Sequence, residues 1–136
     1  VRTLWPAGEA AAGERLAAFA DGVIDTYKDE RDFPSLPGTS CLSPYLAAGV
    51  LSPGQALRAA LAANQGELDS GKAGATTWIN ELLWREFYQH LLAAYPSLST
   101  HQPMKPETAA VPWRDAPADL HAWQYGKTGI PIVDAA

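Results

Sequence analysis

Ala75-Thr76-Thr77-Trp78-Ile79-Asn80-Glu81-Leu82-Leu83-Trp84-Arg85-Glu86-Phe87-Tyr88-Gln89-His90-Leu91-Leu92-Ala93-Ala94 is the longest helical stretch of the sequence, and Pro96 stops it. At 100° per residue, Trp78, Glu81, Trp84, Arg85 and Tyr88 share one arc of about 120°. Ile79, Leu83, Phe87 and Leu91 read as a plain core stripe on another side. One face thus suits packing. The other is rich in rings and paired charge, and suits a flat, hydrogen-bonding aromatic ligand such as a nucleobase or a flavin ring. A blander reading stands beside it. Glu81 and Arg85 are an i,i+4 pair with glutamate first, the favourable order for a surface salt bridge worth a few tenths of a kcal/mol. Trp78 and Trp84 could simply be core.

The rest of the composition agrees with helix. Of 136 residues, 25 are alanine and 15 are leucine, while valine and isoleucine together supply nine. Alanine and leucine favour helices, and strands want the β-branched residues that are scarce here. An all-α fold is expected, and a β-sandwich or barrel is not. The length suits one domain with a modest core. No run approaches 18 apolar residues, so no membrane span is expected. No basic start precedes an apolar stretch, so no signal peptide is expected. A single cysteine, Cys41, excludes an internal disulfide framework and a multi-cysteine metal site, and it fits a reducing, cytoplasmic setting. His90, His101 and His121 show no metal-ligand spacing. The net charge of −5 argues against nucleic-acid binding by bulk attraction, so any DNA contact must be local or be helped by residues outside these 136.

Moving towards the N-terminus, Gln65 to Gly74 is polar and reads as a loop. Ser43-Pro44 and Ser52-Pro53 each place serine before proline, the pattern of an N-cap followed by N1. They predict helices over 44–50 and 53–64. Phe33 to Cys41 holds two prolines and a glycine and reads as an ordered loop. Residues 10–28 place Leu16, Phe19, Val23 and Tyr27 at helical spacing. Towards the C-terminus, 97–117 holds four prolines and is expected to be irregular. A helix near 119–125 and a turn at 126–129 follow, and 131–136 looks like the start of another helix.

Two further features admit two readings each. Thr39, Ser40 and Ser43 place hydroxyls around a helix start. They could bind a phosphate together with backbone N–H groups, or Ser43 could only cap its helix. Arg31, in a charged cluster, could be a solvated surface residue.

Several strings, read in order, are more specific. Trp5-Pro6-Ala7-Gly8-Glu9 comes first, then Arg31-Asp32-Phe33-Pro34, Gly38-Thr39-Ser40-Cys41-Leu42-Ser43 and Leu51-Ser52-Pro53. Asn80-Glu81-Leu82-Leu83-Trp84-Arg85-Glu86-Phe87-Tyr88 and Gly126-Lys127-Thr128-Gly129-Ile130-Pro131-Ile132-Val133-Asp134-Ala135 complete the set. Together they resemble the FAD-binding region of the DNA photolyase/cryptochrome family, most closely that of bacterial enzymes repairing cyclobutane pyrimidine dimers. The resemblance covers essentially the whole sequence.

What the resemblance implies is definite. The fold would be the N-terminal part of the helical FAD-binding domain. The antenna domain, which binds a second chromophore, and the C-terminal half of the FAD domain would lie outside these residues. Tyr27, the segment Thr39, Ser40, Cys41, Leu42 and Ser43, and Trp78, Glu81 and Arg85 would contact FAD. Cys41 occupies a position that is commonly basic in the family, which removes a charge partner for the FAD phosphates. Glu81 would hydrogen-bond a flipped pyrimidine dimer and Trp84 would pack on its rings. Arg85 and Tyr88 would join them at the DNA, and Arg31 would approach the DNA backbone. Trp113 matches the outermost member of the tryptophan chain that photoreduces the flavin. The implied activity is light-driven repair of pyrimidine dimers in DNA. The alternative is a cryptochrome-type photoreceptor that shares the flavin site without repair. These 136 residues alone would bind FAD weakly or not at all, and could self-associate through apolar faces.

Overall fold

The computed structural model describes residues 3–135, and among these there is no strand. They form two compact units, divided after Ala94.

The first unit holds α1 (Glu9–Ala18), a π-helical turn at Phe19–Val23, α2 (Ile24–Glu30), α3 (Ser43–Ala47), α4 (Pro53–Ala63) and α5 (Ala73–Ala94). Residues 10–28 are therefore not the single helix that their spacing predicts. Asp21 (ψ 50°) and Gly22 (φ 125°) leave helical geometry and break the rod. Glycine reaches that φ without a Cβ clash, and the break lets α1 and α2 point independently into one core.

That core gathers Leu16 and Phe19, Ile24, Leu42 and Tyr45, Ala56 and Ala60, and Trp78, Ile79 and Leu82. Alanine is prominent where helices meet, because its small side chain allows close approach. Along α5 the buried positions are Gly74, Ala75, Trp78, Ile79 and Leu82. This corrects the expected stripe: Ile79 is buried, but Leu83 and Phe87 are half exposed. The helix carries apolar residues on more than one side. Which side meets α2 and α4 is decided by those partners, not by α5's own pattern.

The two Ser-Pro pairs part ways. Ser52 is the N-cap of α4 and forms a full capping box: its Oγ accepts from Gln55 N–H, and Gln55 Oε1 accepts from Ser52 N–H. Ser43, expected as a cap, is instead the first residue of α3 and makes no capping bond; Leu42 precedes the helix. The buried Leu42 side chain fixes the chain's entry there, so the helix starts one residue early.

The second unit holds two 3₁₀ turns (Pro96–Thr100 and Pro106–Ala110), α6 (Pro117–Gln124) and α7 (Pro131–Asp134). Asp134 closes the turn before α7. Its carboxylate accepts from Thr128 N–H and Oγ1–H and from Gly129 N–H.

Candidate functional site

Helices α2 and α5 run side by side in the same direction, and their register follows from two contacts. At one end Gly74 meets the α2 backbone so closely that a Cβ there would lie 2.2 Å from Ile24 O and 2.4 Å from Asp25 O. Two turns further along, Arg31 Nη1 donates to Glu81 Oε1 at 2.5 Å. Both contacts join residues 50 apart in sequence. Seven residues carry each helix about 10 Å forward and back to nearly the same face. The near end is reinforced by Lys72 Nζ, which binds both carboxylate oxygens of Asp25 at 2.9 and 3.0 Å.

The Arg31 guanidinium also lies over the Tyr27 ring, 5.6 Å from its centroid, and stands 3.6 Å from Asp32. Hydrogen bonding to Glu81 raises the Arg31 pKa further, so this cation is permanent. Burial pushes the Tyr27 phenol up against the opposing pull of Arg31, so it stays protonated at neutral pH. The expected Glu81–Arg85 pair does not form. Glu81 turns to Arg31, while Arg85 donates to Glu86 at 2.8 Å and to Leu46 O at 3.3 Å. A partner 50 residues away in the chain displaces the neighbour one turn along the helix, because the α2–α5 register delivers it.

Aromatic rings extend the arrangement in two directions. Phe19 meets Tyr27 edge-on at 5.9 Å and Trp78 at 4.9 Å. Trp78 is therefore a core residue, 4% exposed, with its ring against Phe19. On the outer side, Trp84 and Tyr88 stack at 6.1 Å, and Phe87 packs edge-on against both. All three are more than half exposed. They form a ring platform one turn beyond Glu81.

The hydroxyl segment is built differently. Gly38 is buried against Glu30, where a Cβ would fall 2.3 Å from the Glu30 Cβ. Thr39 and Ser40 then border a cleft of about 430 Å³, which Arg15, Glu14, Phe19 and Val23 also line. Ser40 Oγ accepts from Leu42 N–H at 3.4 Å. Cys41 is exposed and Leu42 fully buried, so these two alternate outward and inward, and Ser43 is exposed. Phe19 belongs both to this cleft and to the Tyr27–Trp78 cluster, which brings the hydroxyl segment and the aromatic candidates to one region. Nothing in the sequence reading marks Phe19 or Arg15 as site residues. The signal that could have found them is Gly22, whose break in the helix turns Phe19 inward.

In the second unit, Trp113 stands 87% exposed. Among the described residues no cluster of metal-ligating side chains forms. No helix there is long and apolar enough to cross a membrane.

Comparison with known proteins then decides the family. The pattern of the FAD binding domain of DNA photolyase matches residues 78–136. The deoxyribodipyrimidine photo-lyase of Escherichia coli is 48% identical over 132 residues, covering 97% of this chain and 28% of that protein. An enzyme of the same name from Thermus thermophilus is 45% identical over 129 residues, covering 95% and 29%. The crystal structure of a bacterial class III photolyase from Agrobacterium tumefaciens superposes with a TM-score of 0.85 at 38% identity, covering 98% of this chain and 27% of that one.

The chain belongs to the DNA photolyase family.

It spans little more than a quarter of the length of these relatives. Its helical fold is that of the matching part of the photolyase FAD-binding domain, as the sequence predicts.

Proposed function

We propose that this chain forms part of a light-driven DNA repair enzyme that splits cyclobutane pyrimidine dimers with FAD. One observation carries the reading. In a chain of the photolyase family, a fixed carboxylate, Glu81, stands one helical turn from an exposed platform of Trp84 and Tyr88.

The residues fit the flavin cofactor. The Thr39 and Ser40 hydroxyls are donors for phosphate oxygens, and the cleft they border also carries Arg15, which donates to Leu4 O, and Glu14. Tyr27, with Trp78 and Phe19 behind it, offers an apolar wall for a flat ring. Leu42 and Ser43 would complete the segment, and Arg85 would approach from α5. When bound, FAD supplies the electron whose transfer opens the cyclobutane ring.

The chain's own residues handle the damaged base. A dimer stacks and pairs poorly, so extruding it from the duplex costs little. Glu81 accepts hydrogen bonds from the N–H edge of the extruded pyrimidines, and its bond to Arg31 orients it for this. Trp84 and Tyr88 replace the lost base stacking. Arg31 has five donors, and those not given to Glu81 and Asp32 face the DNA backbone. Trp113, far out in solvent, serves as the outer residue of the electron path that reduces the flavin. An antenna chromophore would be held by residues outside these 136, and a cytoplasmic location accords with the exposed free thiol of Cys41. The 136 residues taken alone would bind FAD weakly and associate with one another through the exposed Leu83 and Phe87.

The test is photorepair of a dimer-bearing oligonucleotide by the native protein and by Glu81→Ala. The variant should keep the flavin absorbance and lose repair, by about 1–3 kcal/mol for one buried edge contact. Equal repair by both would remove Glu81 from the role. No repair by the native protein, with flavin bound, would overturn the proposed activity.

A further inference from the structure

The segment Trp5-Pro6 reaches 36 residues ahead and takes hold of the hydroxyl segment. Trp5 Nε1–H donates to Cys41 O at 2.9 Å. In return, Tyr45 Oη–H donates to Pro6 O at 2.8 Å. The two bonds run in opposite directions between the same pair of segments, and so form a clasp. Its inner side is greasy: Tyr45 and Leu42 are buried, and Trp5 packs half-buried against the same core.

The clasp sits on a backbone conformation that needs holding. Cys41 has φ of +50°, in the left-handed region. A non-glycine residue stays there only where its surroundings fix it. Here the Cys41 carbonyl is fixed by Trp5 and the following Leu42 by the core. On the other side, Gly38 is seated against Glu30 with no room for a side chain. Thr39 and Ser40 therefore lie between two anchored points, and their hydroxyls border the cleft in a fixed arrangement.

We infer that Trp5, through its bond to Cys41, is a positioning residue for the segment that grips the FAD phosphates, with Tyr45 as the second half of the clasp. The inference rests on the flavin reading proposed above. A loop already in its binding geometry loses less conformational freedom when the ligand arrives. An indole also serves better than a phenyl ring here, since only the indole has the N–H to donate.

The experiment uses the whole native protein, freed of flavin, with Trp5→Phe and Tyr45→Phe. Both changes keep a ring in place and remove one hydrogen bond. Three quantities are measured: the FAD dissociation constant, the alkylation rate of Cys41 by iodoacetamide resolved by mass spectrometry, and the melting temperature. Each variant should bind FAD about three- to tenfold more weakly, the loss expected of one hydrogen bond. Cys41 should label several-fold faster while the melting temperature hardly moves. Unchanged FAD affinity in Trp5→Phe overturns the inference. So does weaker FAD binding accompanied by a lower melting temperature and an unchanged Cys41 rate, which marks general loosening. A Thr39→Ala/Ser40→Ala variant separates the two layers. If it binds FAD like the native protein, the flavin reading of this segment fails, and Cys41 labelling alone then reports the clasp.

Discussion

Replacing Gly74 by alanine tests whether the α2–α5 register holds the candidate site together. Two effects oppose each other. Alanine is the better helix former, by about 1 kcal/mol in a helix interior. Gly74 is the second residue of α5, where the gain shrinks to a few tenths. Against this, the new methyl would stand 2.2 Å from Ile24 O and 2.4 Å from Asp25 O, where ordinary contact begins at 3.4 Å. The overlap with Ile24 O is thus 3.4 less 2.2, or 1.2 Å, and both obstacles are backbone atoms inside a helix. No side chain can swing aside, so α2 itself must retreat. Overpacking of this kind costs about 1–3 kcal/mol, and the net loss should be about 1–2.5 kcal/mol. The retreat also draws Arg31 away from Glu81, two turns down the same interface. Chemical denaturation of the native protein and of Gly74→Ala gives the stability difference, and FAD titration gives the consequence at the site. A variant as stable as the parent, or more so, would refute the close crossing. A destabilised variant with unaltered flavin binding would refute the link between the crossing and the site.

Other perturbations address separate elements. Trp84→Ala should leave stability nearly unchanged, because the ring is 55% exposed, yet weaken binding to dimer-bearing DNA by about 1–3 kcal/mol; equal affinity in a filter-binding titration would remove the platform from recognition. Ser52→Ala removes the hydroxyl arm of the α4 capping box and keeps the backbone arm from Ser52 N–H to Gln55; it should cost about 1 kcal/mol in denaturant unfolding, whereas Ser43→Ala, with no capping bond to lose, should cost almost nothing. Asp134 titrates below the ordinary carboxylate range, because the Thr128 hydroxyl and the Thr128 and Gly129 amides bind its charged form. A lowered folded pKa means the turn is held above the unfolded value and released as pH falls through the folded one. The Gly129 amide resonance should therefore shift only at a pH below that of a free aspartate; a midpoint at or above the free value would contradict the clamp.

What could be read from the sequence, and what could not, divides along the range of the interactions. Ser52-Pro53-Gly54-Gln55 holds a helix start in four adjacent residues, and the capping box forms as its spacing demands. Ser43-Pro44 carries the same local signal, yet the burial of Leu42 moves the helix start. Glu81 and Arg85 have the spacing of a favourable pair, but Arg31 arrives from 50 residues away and takes the carboxylate. Leu83 and Phe87 have the spacing of a core stripe, but α2 and α4 pack on the Ala75–Ile79–Leu82 side. The same limit hid Trp5, whose role depends on a carbonyl 36 residues ahead. Placing Glu81 and Trp84 on neighbouring parts of one helix required only the period of that helix, and this part was legible.

On the repair reading proposed above, the distribution of charge favours recognition centred on the extruded base. Of ten basic residues, Arg31, Lys72, Arg85 and Arg114 are each held by a carboxylate in the same unit. With a net charge of −5, the chain offers the duplex backbone little general attraction. On that reading, these 136 residues would gain little from undamaged DNA, where the bases are stacked and out of reach. They would gain most when a pyrimidine pair leaves the stack, because only then would Trp84 and Tyr88 find a flat partner and Glu81 a donor. Weak attraction to the backbone and strong attraction to the displaced base would together raise the contrast between damaged and intact sites. On the same reading, the bond from Arg31 holds the Glu81 carboxylate in place where the damaged base would present its N–H groups.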